Sequence, residues 1–221
     1  MLTDEQVAEV RGEWLKAFSR IKRGGMDAEG LIAELDSIGF FDAPASTKYH
    51  CAFKGGLALH SLNVAREMYK MVRADAVKGS GDGEPEEAPK MAFGEDSILI
   101  AGLFHDVAKA SMYEPFAKNE KVYSADGSKQ DGLGRFDWVS TLSYRVRESA
   151  SRDSVGTRGF AAYWLVSKYI PLTDEEAFAL VNQCSPGEDF QGNLADVFAK
   201  HNLAAYLNAA DVVATYCIEH D

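Results

Sequence analysis

The chain has 221 residues, of which 46% are hydrophobic and 26% charged, and these values predict a single globular domain over residues 1–221. Its formal net charge of −11 repels polyanions, which disfavours long nucleic acid as a partner and favours a small substrate. The sequence contains no apolar run near the roughly 20 residues that a membrane span needs, and its acidic start is unlike a signal peptide. We therefore expect a cytoplasmic protein with no membrane partner.

The first part of the chain is predicted to be helical apart from one loop. A capping-box pattern followed by helical spacing of apolar residues predicts a helix over about 3–22, and a second, shorter helix is expected at 31–38. Residues 40–54 show no clear period and are predicted to form an ordered loop. The apolar stripe that follows Gly56 predicts a long helix, and this helix carries His60.

The rest of the chain predicts further helices and one short hairpin. Residues 78–94 are rich in Gly, Pro and Glu, which is typical of a mobile, solvated loop. Residues 98–107 are almost all apolar, and they predict a buried helix. Within residues 120–139 an Asp-Gly pair lies between two short strand-like runs, which predicts a short β-hairpin. These patterns predict an all-α fold with at most one short β-hairpin, completed by helices at 160–169, 174–182 and 202–219.

A charged pair inside apolar sequence is the feature that points most directly to chemistry. His105 and Asp106 lie in the predicted buried helix, and His60 and Asp211 are similarly flanked by apolar residues on two other predicted helices. Burying a carboxylate without a partner is costly, and a metal cation is one way to make that burial favourable. Helices of a bundle can bring such side chains to one ion. A metal site is therefore predicted, and a core network of hydrogen bonds and ion pairs is the alternative.

The order His60…His105-Asp106…Asp211 resembles the H…HD…D signature of the HD superfamily of metal-dependent phosphohydrolases. Residues 54–62 are also similar to the Gly-Gly-Leu-x-x-His segment of a bacterial and phage branch of that family. The resemblance implies an HD-domain helical bundle in which these four side chains ligate the metal. It also implies hydrolysis of phosphomonoesters or phosphodiesters by metal-activated water.

The similarity extends over residues 45–217, and residues 101–109 resemble the Leu-x-His-Asp-x-x-Lys helix of the same branch. Some members of the branch carry extra histidines that build a second metal site. The corresponding positions here, 156–159, 182–184 and 207–209, contain no histidine. One divalent metal ion is therefore predicted, and the nitrogen and oxygen ligands suit Mn, Fe, Co, Ni, Zn or Mg.

Further residues are predicted to act on the substrate. Asp106 and Lys109 are the predicted catalytic residues, because Lys109 follows His105 by one helical turn and can direct its ammonium at a phosphate. A solvated helix C-terminus is the alternative for this lysine. Weaker predictions for substrate binding are His50, Lys54 and Arg66, for which a structural loop histidine and ordinary surface charges are the alternatives.

The leading hypothesis is a phosphohydrolase with a single metal ion, acting on a small phosphate ester that resembles a nucleotide. The alternative from another class is a degenerate HD domain that acts as a binding or regulatory module without hydrolysis. A third hypothesis is a nuclease for short single strands, which salt-sensitive oligonucleotide binding would reveal.

Overall fold

The computed structural model describes residues 2–78, 91–148, 157–183 and 194–219. The mobile loop predicted at 78–94 falls mostly outside these residues. No helix in the described ranges is long and apolar enough to cross a membrane. The α-helices of the described residues are α1 (Asp4–Phe18), α2 (Ala28–Ser37), α3 (Gly56–Lys78), α4 (Glu95–Phe104), α5 (Arg158–Ser167), α6 (Asp174–Val181), α7 (Leu194–Lys200) and α8 (Asn202–Val213).

The predicted all-α fold with at most one short hairpin is wrong, because the structure contains a three-stranded antiparallel sheet. Its strands are β1 (Tyr113–Tyr123), β2 (Lys129–Asp131) and β3 (Gly134–Val146), arranged in the order β1-β3-β2. Strand β1 pairs with β3 over its whole length, from Tyr113 opposite Val146 to Tyr123 opposite Phe136. The hairpin expected within 120–139 is therefore only one end of a longer sheet.

The residues of β3 explain why the sheet is longer than predicted. Large apolar residues recur at every second position at Phe136 and Trp138 and again from Leu142 to Val146, which is the period of a strand. The tight turn is also displaced from the expected Asp126-Gly127 pair. Asp131 pairs with Gly134, so the two residues between them connect β2 to β3.

A cluster of aromatic rings holds α1 against α3 and α4. Trp14 is fully buried, and its indole Nε1–H donates a hydrogen bond of 3.0 Å to Ser61 Oγ on α3. Since Ser61 follows His60, this contact fixes the part of α3 that carries the imidazole. The rings packed around Trp14 are those of Phe18, Phe40, Phe41 and Phe104.

A second apolar cluster joins α3, α4 and α8. It includes Val64 and Met68 from α3, Ala101 from α4, and Leu207 and Ala210 from α8. The backbones of α3 and α4 also approach closely, because a Cβ at Gly102 would lie 2.5 Å from Ala65 Cα. These contacts bring the three helices that carry the predicted metal ligands against one another.

Candidate metal centre

Three of the four residues predicted as metal ligands lie around a nitrogen of the fourth, Nε2 of His60. This atom is 3.3 Å from His105 Nε2 and 3.6 Å from Asp106 Oδ2. It is also 3.2 Å from Asp211 Oδ1. His60 and His105 are fully buried and Asp106 is nearly so, whereas the Asp211 side chain is 21% exposed. The group is therefore enclosed except on the side of Asp211.

His105 and Asp106 can face the same point because the helix that carries them ends there. The prediction of one continuous helix through Val107 is wrong: α4 ends at Phe104, and a 3-10 helix begins at Val107. Neighbouring residues inside a regular helix point about 100° apart. Asp106 has φ −104° and ψ 10°, and its Oδ2 lies 3.5 Å from His105 Nε2. The break therefore gives two adjacent side chains a common direction.

The hydrogen bonds of the two imidazoles determine where their lone pairs point. His105 Nδ1 lies 2.9 Å from the carbonyl oxygen of Gly102, which can only accept, so this nitrogen carries a proton. His60 Nδ1 lies 2.9 Å from Glu219 Oε2 and donates in the same way to the carboxylate. When both rings are neutral, their two Nε2 lone pairs therefore face each other. A positive charge between them is needed to make that arrangement favourable.

The charges around this point favour a divalent cation. Burial alone would raise the pKa of Asp106, but Lys109 and His105 outweigh it and hold that pKa well below its usual range. The pKa values of Asp211 and Glu219 are also lowered, because their contacts with His60 outweigh burial. Three carboxylates, at Asp106, Asp211 and Glu219, against the one ammonium of Lys109 leave two negative charges when both imidazoles are neutral.

The carboxylates around His60 favour a proton on its ring. Burial opposes the charged ring, but hydrogen bonds to Asp211 and Glu219 outweigh burial and raise the pKa of His60 to about 9. His50 lies beside this ring, with centroids 4.7 Å apart. Burial, together with the nearby charge of His60, lowers the pKa of His50 to about 4.

The spacing of the four groups suits a first-row metal ion. Nitrogen and oxygen ligands lie about 2.0–2.2 Å from such an ion, so two ligand atoms are about 3.4 Å apart around a tetrahedral ion and about 3.0 Å apart as neighbours around an octahedral one. The observed separations between His60 Nε2 and the other three groups are 3.2, 3.3 and 3.6 Å, which lie within about 0.2 Å of the tetrahedral spacing. The ligand-type atoms of His60, His105 and Asp106 all lie within 4.8 Å of one another. The residues present therefore fit a divalent metal.

The residues predicted to contact substrate are found in two different settings. Lys109 is buried, and its Nζ lies 2.5 Å from Asp106 Oδ2 inside the site. His50 lies beside His60. Lys54 and Arg66 form surface ion pairs with carboxylates, Lys54 with Asp4 at 2.8 Å and Arg66 with Glu13 at 2.5 Å.

Two residues that were not predicted from the sequence contact the predicted ligands, and a third contacts one of these two. Glu219 accepts a hydrogen bond from His60 Nδ1, and Asn63 Nδ2 donates 2.9 Å to Glu219 Oε1. Gln183 Nε2 donates to the carbonyl oxygen of His105. Asn63 lies three residues after His60 on α3, and this spacing is the one sequence signal that could have identified it.

The positions predicted to lack a second metal site are only partly described. Residue 156 and residue 184 lie outside the described ranges. Asn208, one turn before Asp211, donates 2.8 Å to the carbonyl oxygen of Ala204 on its own helix.

No family model, curated protein or solved structure matches this chain.

Proposed function

We propose that this protein is an HD-type, metal-dependent phosphohydrolase that uses one divalent ion to hydrolyse a small, nucleotide-like phosphate ester. The observation that carries the proposal is the buried group of His60, His105 and Asp106, whose ligand-type atoms lie within 4.8 Å of one another, with Asp211 Oδ1 3.2 Å from His60 Nε2. His60, His105, Asp106 and Asp211 would hold the ion. When bound, a divalent ion lowers the pKa of water and stabilises negative charge on phosphoryl oxygens.

The protein's own residues have distinct tasks in this proposal. Lys109 keeps Asp106 ionised, because its ammonium lowers the pKa of that carboxyl. Burial opposes the charge of Lys109 itself, but the Asp106 carboxylate outweighs burial and raises the pKa of Lys109. The same ammonium adds positive charge beside the position of the substrate phosphate, which is the catalytic role we propose for it. Asp211 lies on the partly exposed side, and this is the side from which we propose that substrate enters.

Charge and enclosure favour a small substrate. A buried site in a chain of net charge −11 favours a small phosphorylated molecule over long nucleic acid.

Hydrolysis assays with a panel of phosphomonoesters, phosphodiesters and nucleotides test the proposal. The panel is run with Mn²⁺, Fe²⁺, Co²⁺, Ni²⁺, Zn²⁺ and Mg²⁺ in turn. We expect metal-dependent turnover by the wild type and none by Asp106→Asn, which preserves the shape of the side chain and removes its charge. Lack of turnover by folded, metal-loaded wild type on every substrate would contradict hydrolysis.

A binding or regulatory module that keeps the metal is the second candidate function. It is favoured by the ion pair that already occupies Lys109, and by the amide of Asn208 where some members of the family branch have an imidazole. Nucleotide binding by metal-loaded protein, without turnover, would support this candidate over the enzyme.

A further inference from the structure

Glu219 lies on the opposite side of the His60 ring from the other carboxylates. Nε2 of this ring faces Asp106 and Asp211, while Nδ1 faces Glu219 Oε2 at 2.9 Å. The Glu219 side chain is 3% exposed. A nearly buried carboxylate therefore meets the one ring nitrogen that the candidate metal does not need.

Both oxygens of Glu219 are engaged. Oε2 accepts from His60 Nδ1, and Oε1 accepts 2.9 Å from the Asn63 amide on the same helix as His60. The two contacts hold the carboxylate in place and leave it little freedom to turn towards another group. The ligand-type atoms of His50, His60 and Glu219 also lie within 4.8 Å of one another, which is close enough for a second ion. The short Nδ1–Oε2 contact favours a hydrogen bond over that arrangement.

A local change in helix type brings Glu219 to this position. Glu219 follows Asp211 by eight residues, which in a regular α-helix is a rotation of about 800°, roughly 80° past two full turns. The chain instead forms a π-helical turn over Ala214–Ile218, and Glu219 N donates 3.0 Å to the Ala214 carbonyl. The wider turn reduces the rotation per residue, so Asp211 and Glu219 both face His60.

We infer that Glu219 is a positioning residue for the metal centre, which fixes the Nδ1–H tautomer and the ring plane of His60 so that Nε2 is presented to the ion. The inference rests on the proposed function, because it assumes that the four ligands hold a metal. A carboxylate behind a ligating histidine increases the basicity of the ligand nitrogen and restricts its orientation, and its loss costs roughly 10–100-fold in metal affinity.

The chain contains a matched control for this hydrogen bond. His201 Nδ1 lies 2.9 Å from Glu175 Oε1, so this pair has the same atoms and the same separation. Neither residue is among the proposed ligands. Substitution of Glu175 therefore reproduces the loss of a histidine–glutamate contact without altering the support of His60.

The test is calorimetric titration of Mn²⁺ and of Zn²⁺ into the full chain for wild type, Glu219→Ala, Glu219→Gln and Glu175→Ala. We expect Glu219→Ala to weaken binding roughly 10–100-fold. Glu219→Gln should lose less, because its amide oxygen still accepts from Nδ1–H. Glu175→Ala should bind like the wild type. The d–d absorption of Co²⁺-loaded protein should change in Glu219→Ala and not in Glu175→Ala.

The outcomes separate this inference from the proposed function. Wild type that binds metal, with Glu219 variants of equal affinity and unchanged Co²⁺ spectra, would overturn the positioning role alone. An equal loss of affinity in Glu175→Ala would also overturn it, because the effect would then be general destabilisation. Wild type that binds neither ion would overturn the proposed function, and the positioning role with it.

Discussion

Charged side chains surround His60, and this makes the candidate metal centre sensitive to protons. The ring is faced by Asp106 and His105 from the end of α4, by Asp211 and Glu219 from the C-terminal helix, and by His50 from the loop before α3. The three carboxylates favour a cationic ring when no ion is bound. A metal ion must displace that proton.

The metal-free protein should lose stability as pH rises through this region. The pKa of His60 is raised to about 9 in the folded protein, whereas the unfolded chain releases the proton near 6.5. The stabilisation is therefore complete below about pH 6.5 and is lost as pH rises through about 9. Urea unfolding in chelator across this range should show the decline in wild type and a smaller decline in His60→Gln. Equal declines in the two proteins would contradict the raised pKa.

The buried Lys109–Asp106 pair should contribute far more to stability than an exposed pair of the same spacing. Lys109→Met leaves Asp106 buried without its ammonium, and we expect a loss of roughly 3 kcal/mol in the free energy of unfolding of metal-free protein. Metal-loaded protein should lose less, because the ion supplies a counter-charge. Lys70 also pairs with a carboxylate three positions away in the sequence, since its Nζ lies 2.5 Å from Glu67 Oε1, but its side chain is 69% exposed. Lys70→Met should therefore cost less than about 1 kcal/mol, and equal losses would contradict the account.

At the residue scale, the close grouping of the candidate ligands could be predicted from sequence, whereas the residues that contact them could not. His60, His105, Asp106 and Asp211 are polar residues in apolar helical segments, and this contrast is visible without coordinates. Glu219 gives no such signal, because α-helical spacing places it on a different face from Asp211. Only the π-helical turn aligns the two residues, and the spacing of apolar residues gives no sign of such a turn.

At the scale of elements, the close approach of α3 and α4 determines where His105 lies. Gly102 lies directly against Ala65, and its carbonyl oxygen accepts the hydrogen bond from His105 Nδ1. The same residue therefore sets the distance between two helices and the orientation of one imidazole.

Gly102→Ala should affect both properties. The added methyl group would lie 2.5 Å from the Ala65 Cα, so the helices must move apart, and we expect a loss of about 1–3 kcal/mol in the free energy of unfolding. Metal affinity should fall as well, because the movement displaces His105. Gly12→Ala on α1 is the control, since a Cβ there meets nothing within 4 Å. Urea unfolding and metal titration results for Gly102→Ala that matched those of Gly12→Ala would contradict a role for the close α3–α4 approach.

The long helices were easier to predict than the sheet for a physical reason. The helix after Gly56 has a continuous apolar stripe that packs in the core, whereas the sheet is largely exposed on β1 and β3. Residues such as Trp138 and Leu142 are about half exposed, so the alternation of β3 does not separate buried from solvated positions. Cross-strand pairing with β1 is the interaction that makes these residues a strand.

At the scale of the molecule, one buried ion pair connects parts of the chain that are remote in sequence. The Arg23 guanidinium, after α1, forms two hydrogen bonds with the Glu176 carboxylate on α6, at 2.9 and 2.6 Å. Ser97 on α4 donates 2.6 Å to the same carboxylate. Because α4 leads to His105, this pair also supports the helix that ends at the candidate metal centre.

Removal of the Glu176 carboxylate should destabilise the whole fold. Glu176 is fully buried, and Glu176→Ala leaves the partly buried Arg23 guanidinium without its carboxylate, so we expect a loss of roughly 3 kcal/mol in the free energy of unfolding. Glu13→Ala, which breaks the exposed pair with Arg66, should cost less than about 1 kcal/mol. Chemical denaturation of the three proteins checks this difference. Equal losses in the two variants would contradict a structural role for the buried pair.

The metal content of the purified protein tests the central claim most directly. Elemental analysis after loading and desalting should find one equivalent of a divalent first-row metal in wild type and in the Glu175→Ala control. His105→Ala and Asp106→Ala should retain little or none, with circular dichroism showing that each variant is folded. Equal metal retained by wild type and both ligand variants, or none by folded wild type, would contradict a metal centre at these residues.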